Sequence, residues 1–151
     1  MAERMRDCRF CAIARGEAPA ELVLREPRLV AFLDHRPLFP GHTLLVPVEH
    51  HETLADLPAP LVGEVFTTAQ LVSRAMETGL DAEGSFLAIN NRVSQSVPHV
   101  HVHVVPRRQG DGLRGFFWPR HKYRDEAHMA ETRATLASAI EALRTAPSRP
   151  R

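Results

Sequence analysis

The segment His99-Val100-His101-Val102-His103-Val104-Val105 alternates histidine with valine, and Pro106 ends it. A period of two belongs to a β-strand, whose successive side chains point to opposite faces. His99, His101 and His103 therefore share one face, and Val100, Val102 and Val104 pack the other into a core. Neighbouring imidazoles on that face stand roughly 7 Å apart at the backbone, twice the strand rise. Exposed strand faces ordinarily carry Thr, Lys, Glu or Ser. Three imidazoles in register instead suit a stiff support for reacting groups or for a metal, because imidazole is both a common metal ligand and an acid–base group near neutral pH. A single strand bearing His-x-His can chelate zinc, so the metal reading stands beside the catalytic one.

The residues that enter this strand narrow the chemistry. Gln95 and Ser96 lie in a polar loop, Asn91–Pro98. Their donors and the loop's backbone N–H groups can surround a phosphate. Phosphoryl transfer mainly requires positioning and charge stabilisation. A neutral imidazole adds a nucleophile, its unperturbed pKa being about 6.5.

The remaining pattern is that of a mainly antiparallel α+β fold with five short strands and no βαβ rhythm. Asp7 is placed to cap a short helix from Arg9 to Arg15, with Gly16 at the stop position. Glu21–Arg25 and Leu29–Asp34 form a hairpin across Glu26-Pro27-Arg28. Thr43–Val48 is a third strand, after a loop punctuated by Pro37, Pro40 and Gly41. Val62, Val65, Phe66, Ala69, Val72 and Met76 mark the apolar face of a helix starting near Asp56 and Pro58 and ending at Gly79. Gly84–Asn90 and His99–Val105 are the fourth and fifth strands. Met129, Leu136, Ile140 and Leu143 outline a final helix. A single domain over residues 1–144 is expected, with a basic tail at 145–151 lacking fixed structure.

The 151 residues suffice for a buried core. A net charge of +1 gives no general case for nucleic acid as partner. No apolar run is long enough to span a bilayer. The start of the chain lacks the apolar core of a secretory signal, and two cysteines form no disulfide framework; a cytoplasmic location is expected. His51, His121 and His128 read as surface residues. Arg114–Arg124, rich in aromatic and basic side chains, suits a subunit contact or the rim of a site; stacking on single-stranded nucleic acid is the other option.

Gln95-Ser96-Val97-Pro98-His99-Val100-His101-Val102-His103 resembles the signature of the histidine triad (HIT) family. Cys8–Glu17, Leu29–Asp34, Pro40–Pro47 and His50 agree with other family segments in order and spacing. The resemblance implies a small antiparallel sheet with flanking helices, in a homodimer. It implies hydrolysis or transfer at the α-phosphate of a purine nucleotide, with adenosine foremost: a nucleoside phosphoramidate, a dinucleoside polyphosphate or a related compound. His101 would be the nucleophile, forming a nucleotidyl-histidine intermediate. His103, Gln95 and Ser96 would bind the α-phosphate, with His42 behind the triad. Asp34 would hold the ribose and Asn90 lie near the sugar and phosphate. Phe10, Ile13, Phe32, Leu33, His35 and Leu44 would line the base pocket. The loop from Asn90 to Gln95 is shorter than in the best-known branches and lacks their glycines, and His35 stands where an aliphatic residue is common.

Some members of the family carry a structural zinc that uses the first triad histidine. Cys-x-x-Cys is a common half-site for tetrahedral zinc, so Cys8, Cys11, His50 and His99 are the expected ligands, and no organic cofactor is expected. Two competing functions remain at this point. One is a zinc hydrolase with the triad as metal ligands. The other is a nucleotide-binding module without turnover.

Overall fold

The computed structural model describes residues 8–113 and 121–145. The chain divides into two compact units, Met1–Asp111 and Gly112–Arg151. The expected cap at Asp7, most of the aromatic and basic segment (114–120) and the tail beyond Thr145 lie outside the described residues.

The first unit opens with helix α1, Arg9–Ala14, whose N-cap position is held by Cys8 without a side-chain hydrogen bond. Gly16 ends it as expected. At φ 76° it takes the left-handed conformation that glycine enters without steric cost. The Glu17 N–H then reaches back to the Ala12 carbonyl at 2.8 Å and the Gly16 N–H to that of Ile13 at 3.0 Å, closing the helix end. Strands β1 (Leu22–Arg25) and β2 (Leu29–Leu33) form the hairpin, and β3 (Thr43–Pro47) follows. A 3₁₀ turn at Leu54–Asp56 leads into helix α2, Ala59–Leu80, and then strands β4 (Gly84–Ala88) and β5 (Val102–Arg107). The sheet runs β1-β2-β3-β5-β4, and every neighbouring pair is antiparallel.

Alternation within the strands sends side chains into two cores. Leu29, Ala31, Leu45, Val102 and Val104 pack with Leu61, Val65, Ala69, Val72 and Met76 of α2. Val30, Phe32, Leu44 and Val46 point the other way and pack with Phe10, Cys11, Ile13 and Ala14 of α1. Helices thus cover both faces of β2 and β3, which is why those strands read as continuous apolar runs.

Most strands are one or two residues shorter than the sequence reading, and three boundaries differ in ways that matter for the fold. Helix α2 passes through Gly79 and stops at Asp81, which takes the left-handed φ of 52°. Its buried stripe begins at Leu61, while Phe66 is 45% exposed, one residue and so 100° around the helix from Val65. Strand β5 starts at Val102 rather than His99. Before it, the Val100 N–H donates to the His51 carbonyl at 2.7 Å, so that stretch is held by the loop at His51 instead of by β3. Pro106 lies inside β5 because pairing with β3 extends only to Val104 and β4 alone continues alongside, leaving no ladder bond that needs its missing N–H. His51 is accordingly half-buried rather than on the surface.

In the second unit, helix α3 spans Glu126–Thr145. The stripe expected from sequence is present, and Met129, Leu136, Ile140 and Leu143 are all at least half exposed.

Candidate functional site

The face of the sheet under α1 carries the histidines. His99 is wholly buried and His101 is 2% exposed, so these imidazoles are interior groups instead of a solvated strand face. His103 is half-buried and stands opposite Leu44 of β3 and Ala88 of β4. Val100, Val102 and Val104 occupy the α2 core, as the alternation requires.

The hydrogen-bond partners assign the protons on the rings. The Nδ1 of His101 lies 2.7 Å from the His99 carbonyl oxygen, which can only accept. Nδ1 therefore carries the proton, and Nε2 keeps its lone pair on a side chain that lines a cavity. The Leu38 N–H donates to Nδ1 of His42 at 3.1 Å. His42 is then protonated at Nε2 and donates to Nδ1 of His103 across 3.0 Å. His103 is left with its own Nε2–H as a donor, and it too lines the cavity. An electron-pair donor and an N–H donor thus stand side by side, their ring centroids 4.8 Å apart.

Burial keeps this array neutral. Desolvation lowers the pKa of His101 below the usual imidazole value, partly offset by the His99 carbonyl and by Asp34. Desolvation also pushes His103 down to about 4, helped by His101 and His42. His42 is lowered by the same cause, against the pull of Asp34.

The cavity has a volume of 560 Å³. Of the residues expected around a nucleotide, Phe10, Ile13, Phe32, Leu33, Asp34, His35, Leu44, Ser96, His101 and His103 line it. Asp34, the residue after β2, accepts from the Arg36 N–H through Oδ1 at 2.9 Å and holds Oδ2 3.8 Å from Nδ1 of His42. Gly41 leads the chain into His42 at φ 102°, a backbone conformation that favours glycine, with the Leu80 side chain 2.5 Å from where a Cβ would stand.

Two of the expected residues stand apart from the lining. Asn90 lies past the end of β4. The Gln95 amide donates to the Glu52 carbonyl at 2.6 Å, and its oxygen accepts from the Arg92 N–H at 2.7 Å, so this side chain braces the loop. Arg9, Glu21 and Val97 also line the cavity and were missed from the sequence. The hairpin could have indicated Glu21, since its carbonyl accepts the N–H of Leu33. Helical spacing could have indicated Arg9, one turn from Ile13.

A second cluster lies behind the first. Cys8, Cys11, His50 and His99 each offer a ligand atom within 4.8 Å of the others. The Cys8 Sγ to His99 Nδ1, Cys11 Sγ to His50 Nδ1 and Cys11 Sγ to His99 Nδ1 distances are 3.4, 3.2 and 3.5 Å. Tetrahedral zinc with Zn–S near 2.3 Å and Zn–N near 2.0 Å places sulfur and nitrogen about 3.5 Å apart. The Nε2–H of His99 donates to the Pro47 carbonyl at 2.8 Å, leaving the Nδ1 lone pair aimed at the two sulfurs. Burial and the neighbouring Cys8 push the Cys11 thiol up to about 11, against the opposing pull of Arg15. The four side chains fit a metal in donor type, spacing and tautomer.

Among the described residues no helix is long and apolar enough to cross a membrane. The HIT domain model matches residues 15–110. A HIT-like protein of Mycobacterium tuberculosis whose function is uncharacterised is 40% identical over 108 residues, covering 70% of this chain and 75% of that protein. An adenylylsulfatase of Arabidopsis thaliana is 33% identical over 109 residues, covering 71% of this chain and 55% of the relative. Among solved structures, a zinc-bound histidine triad family protein from Mycobacterium smegmatis is 38% identical, with a TM-score of 0.69 over 91% of this chain and 99% of that one.

Proposed function

The chain belongs to the HIT domain family, and on that premise we propose that it is a nucleotide hydrolase or nucleotidyl transferase that attacks an α-phosphate with His101. The observation that carries this reading is the 2.7 Å bond from His101 Nδ1–H to the His99 carbonyl, which leaves Nε2 unprotonated on the cavity wall. Attack by Nε2 forms an N–P bond and breaks the bond from phosphorus to the leaving group, giving a nucleotidyl-imidazole. Water or another acceptor then displaces the imidazole. The Nε2–H of His103 donates to a non-bridging phosphate oxygen, and Ser96 faces the same space. Asp34 holds the ribose hydroxyls, and Phe10, Ile13, Phe32 and Leu44 enclose the base. The kinship with an adenylylsulfatase supports an adenylylated substrate.

Zinc, held by Cys8, Cys11, His50 and His99, completes this reading as a structural ion that ties α1 to the sheet. The zinc-hydrolase alternative needs the three triad histidines on one ion. Their lone pairs run counter to it: that of His99 faces the cysteines, that of His103 Nδ1 faces His42, and that of His101 faces the cavity. The protein acts as a homodimer, which would cover the sheet edges at β1 and β4; light scattering that gives the mass of one chain at micromolar concentration would refute the pairing.

A turnover panel tests the function. Adenosine phosphoramidate, diadenosine polyphosphates and adenylyl sulfate are each assayed with and without inorganic phosphate. At least one should release or transfer AMP. His101→Gly should lower that kcat by a factor on the order of 10³ or more. Tight nucleotide binding with no turnover of any member would instead favour the binding module.

A further inference from the structure

The two clusters adjoin through Phe10 and His99. Phe10 stands between the two cysteines of the metal cluster, in a helix of six residues. Its ring packs edge-on against His101, with centroids 5.1 Å apart and planes at 81°. It also meets His99 at 6.0 Å and Phe32 at 5.4 Å. On the other side, His99 offers Nδ1 to the cysteines while its carbonyl accepts the proton of His101 Nδ1. Two short routes therefore lead from the metal cluster to the nucleophile, one through the Phe10 ring and one through the backbone of His99.

We propose that Phe10 is a positioning residue that couples metal occupancy at Cys8, Cys11, His50 and His99 to the fit of nucleotide against His101. This coupling rests on the nucleotide reading above. A metal that binds both cysteines fixes the backbone on either side of Phe10, so the ring cannot retreat from His101 or from the cavity. Six residues are too few to hold a helix by themselves, and α1 has no side-chain N-cap. With the cysteines released, the ring gains freedom that nucleotide binding must remove. Coupling of this kind is reciprocal: whatever factor zinc adds to nucleotide affinity, nucleotide adds to zinc affinity.

The test compares wild type with Phe10→Leu, which keeps an apolar side chain but loses the ring edge. AMP affinity is measured by calorimetry on zinc-loaded and on metal-stripped protein. In parallel, chelator-driven zinc release is timed with and without saturating AMP. In wild type, stripping should weaken AMP binding about fivefold or more, AMP should strengthen zinc binding by the same factor, and zinc release should slow when AMP is bound. In Phe10→Leu both effects should shrink by about half or more, with the remainder carried through the His99 backbone, a double difference from which the direct loss of a Phe10–base contact cancels. If stripping unfolds the protein, the release rates on folded, loaded enzyme decide alone. Equal AMP affinity in folded loaded and stripped wild type, or release rates indifferent to AMP, contradicts the coupling. Undiminished coupling in Phe10→Leu contradicts the role of the ring. Zinc-loaded wild type that binds no AMP contradicts the nucleotide reading itself, and the coupling with it.

Discussion

His103 is hemmed in by two other imidazoles, His101 with its ring centroid 4.8 Å away and His42 at 3.0 Å through nitrogen. Its pKa of about 4 in the fold lies below the free value of 6.5, first through desolvation. The unfolded chain therefore binds more protons than the folded one between these two values. Stability from this residue is fully present above pH 6.5 and is lost as pH falls through about 4. Discounted for the residue's partial exposure, the loss is on the order of 1–3 kcal/mol. Urea unfolding at pH 4.5 and pH 7.5 should show this difference in wild type and a smaller one in His103→Asn. An unchanged pH dependence in the variant would mean that the loss arises elsewhere. Functionally, the same low pKa keeps the Nδ1 lone pair of His103 free to accept from His42, which fixes the ring with Nε2–H toward the cavity; protonation would remove that acceptor.

Among the elements, the loop before β5 carries the plainest local cost. Arg92 and Ser94 take φ of 67° and 58°, the left-handed region, with no glycine at either position. The Gln95 side chain holds the loop in that shape by bridging Arg92 and Glu52. Ser94→Gly should leave stability unchanged or slightly raised. Ser94→Val should cost roughly 1–2 kcal/mol, because a branched Cβ crowds the backbone there. Denaturant unfolding of the pair reads the difference directly, and equal stability would contradict the assigned backbone. Residue types alone do not reveal the course of this loop. Alternation announced the valine face of β5 and the shared histidine face, and the stop at Gly16 was visible as a residue type. The start of β5 was not, since it depends on the Val100 N–H choosing a distant carbonyl at His51. Gln95 is expected from sequence as a phosphate donor; in the fold it bonds the Glu52 carbonyl and the Arg92 N–H, backbone groups that no residue identity reveals. Spacing alone places Phe66 on the apolar face, yet one residue of rotation turns it outward. The ligand set Cys8, Cys11, His50 and His99 came from the resemblance, and the fold brings all four together.

Over the whole molecule, one sheet serves two purposes. Its α2 face is a plain aliphatic core, and its α1 face holds the cavity and the metal cluster in contact with each other. The match to the HIT domain ends at residue 110, close to the boundary of the first compact unit at Asp111. Asp34, His42, Ser96 and the three triad histidines lie within the matched residues, whereas Cys8, Phe10, Cys11 and Ile13 precede them. The central claim is the covalent step at His101, and its most direct measurement is the stereochemical course at phosphorus. An α-phosphorothioate substrate of one configuration is hydrolysed in ¹⁸O-enriched water, and the configuration of the product is determined. Attack by His101 followed by attack of water inverts phosphorus twice, so net retention is the expected result. Net inversion would mean a single displacement by water, and would contradict a nucleotidyl-histidine intermediate.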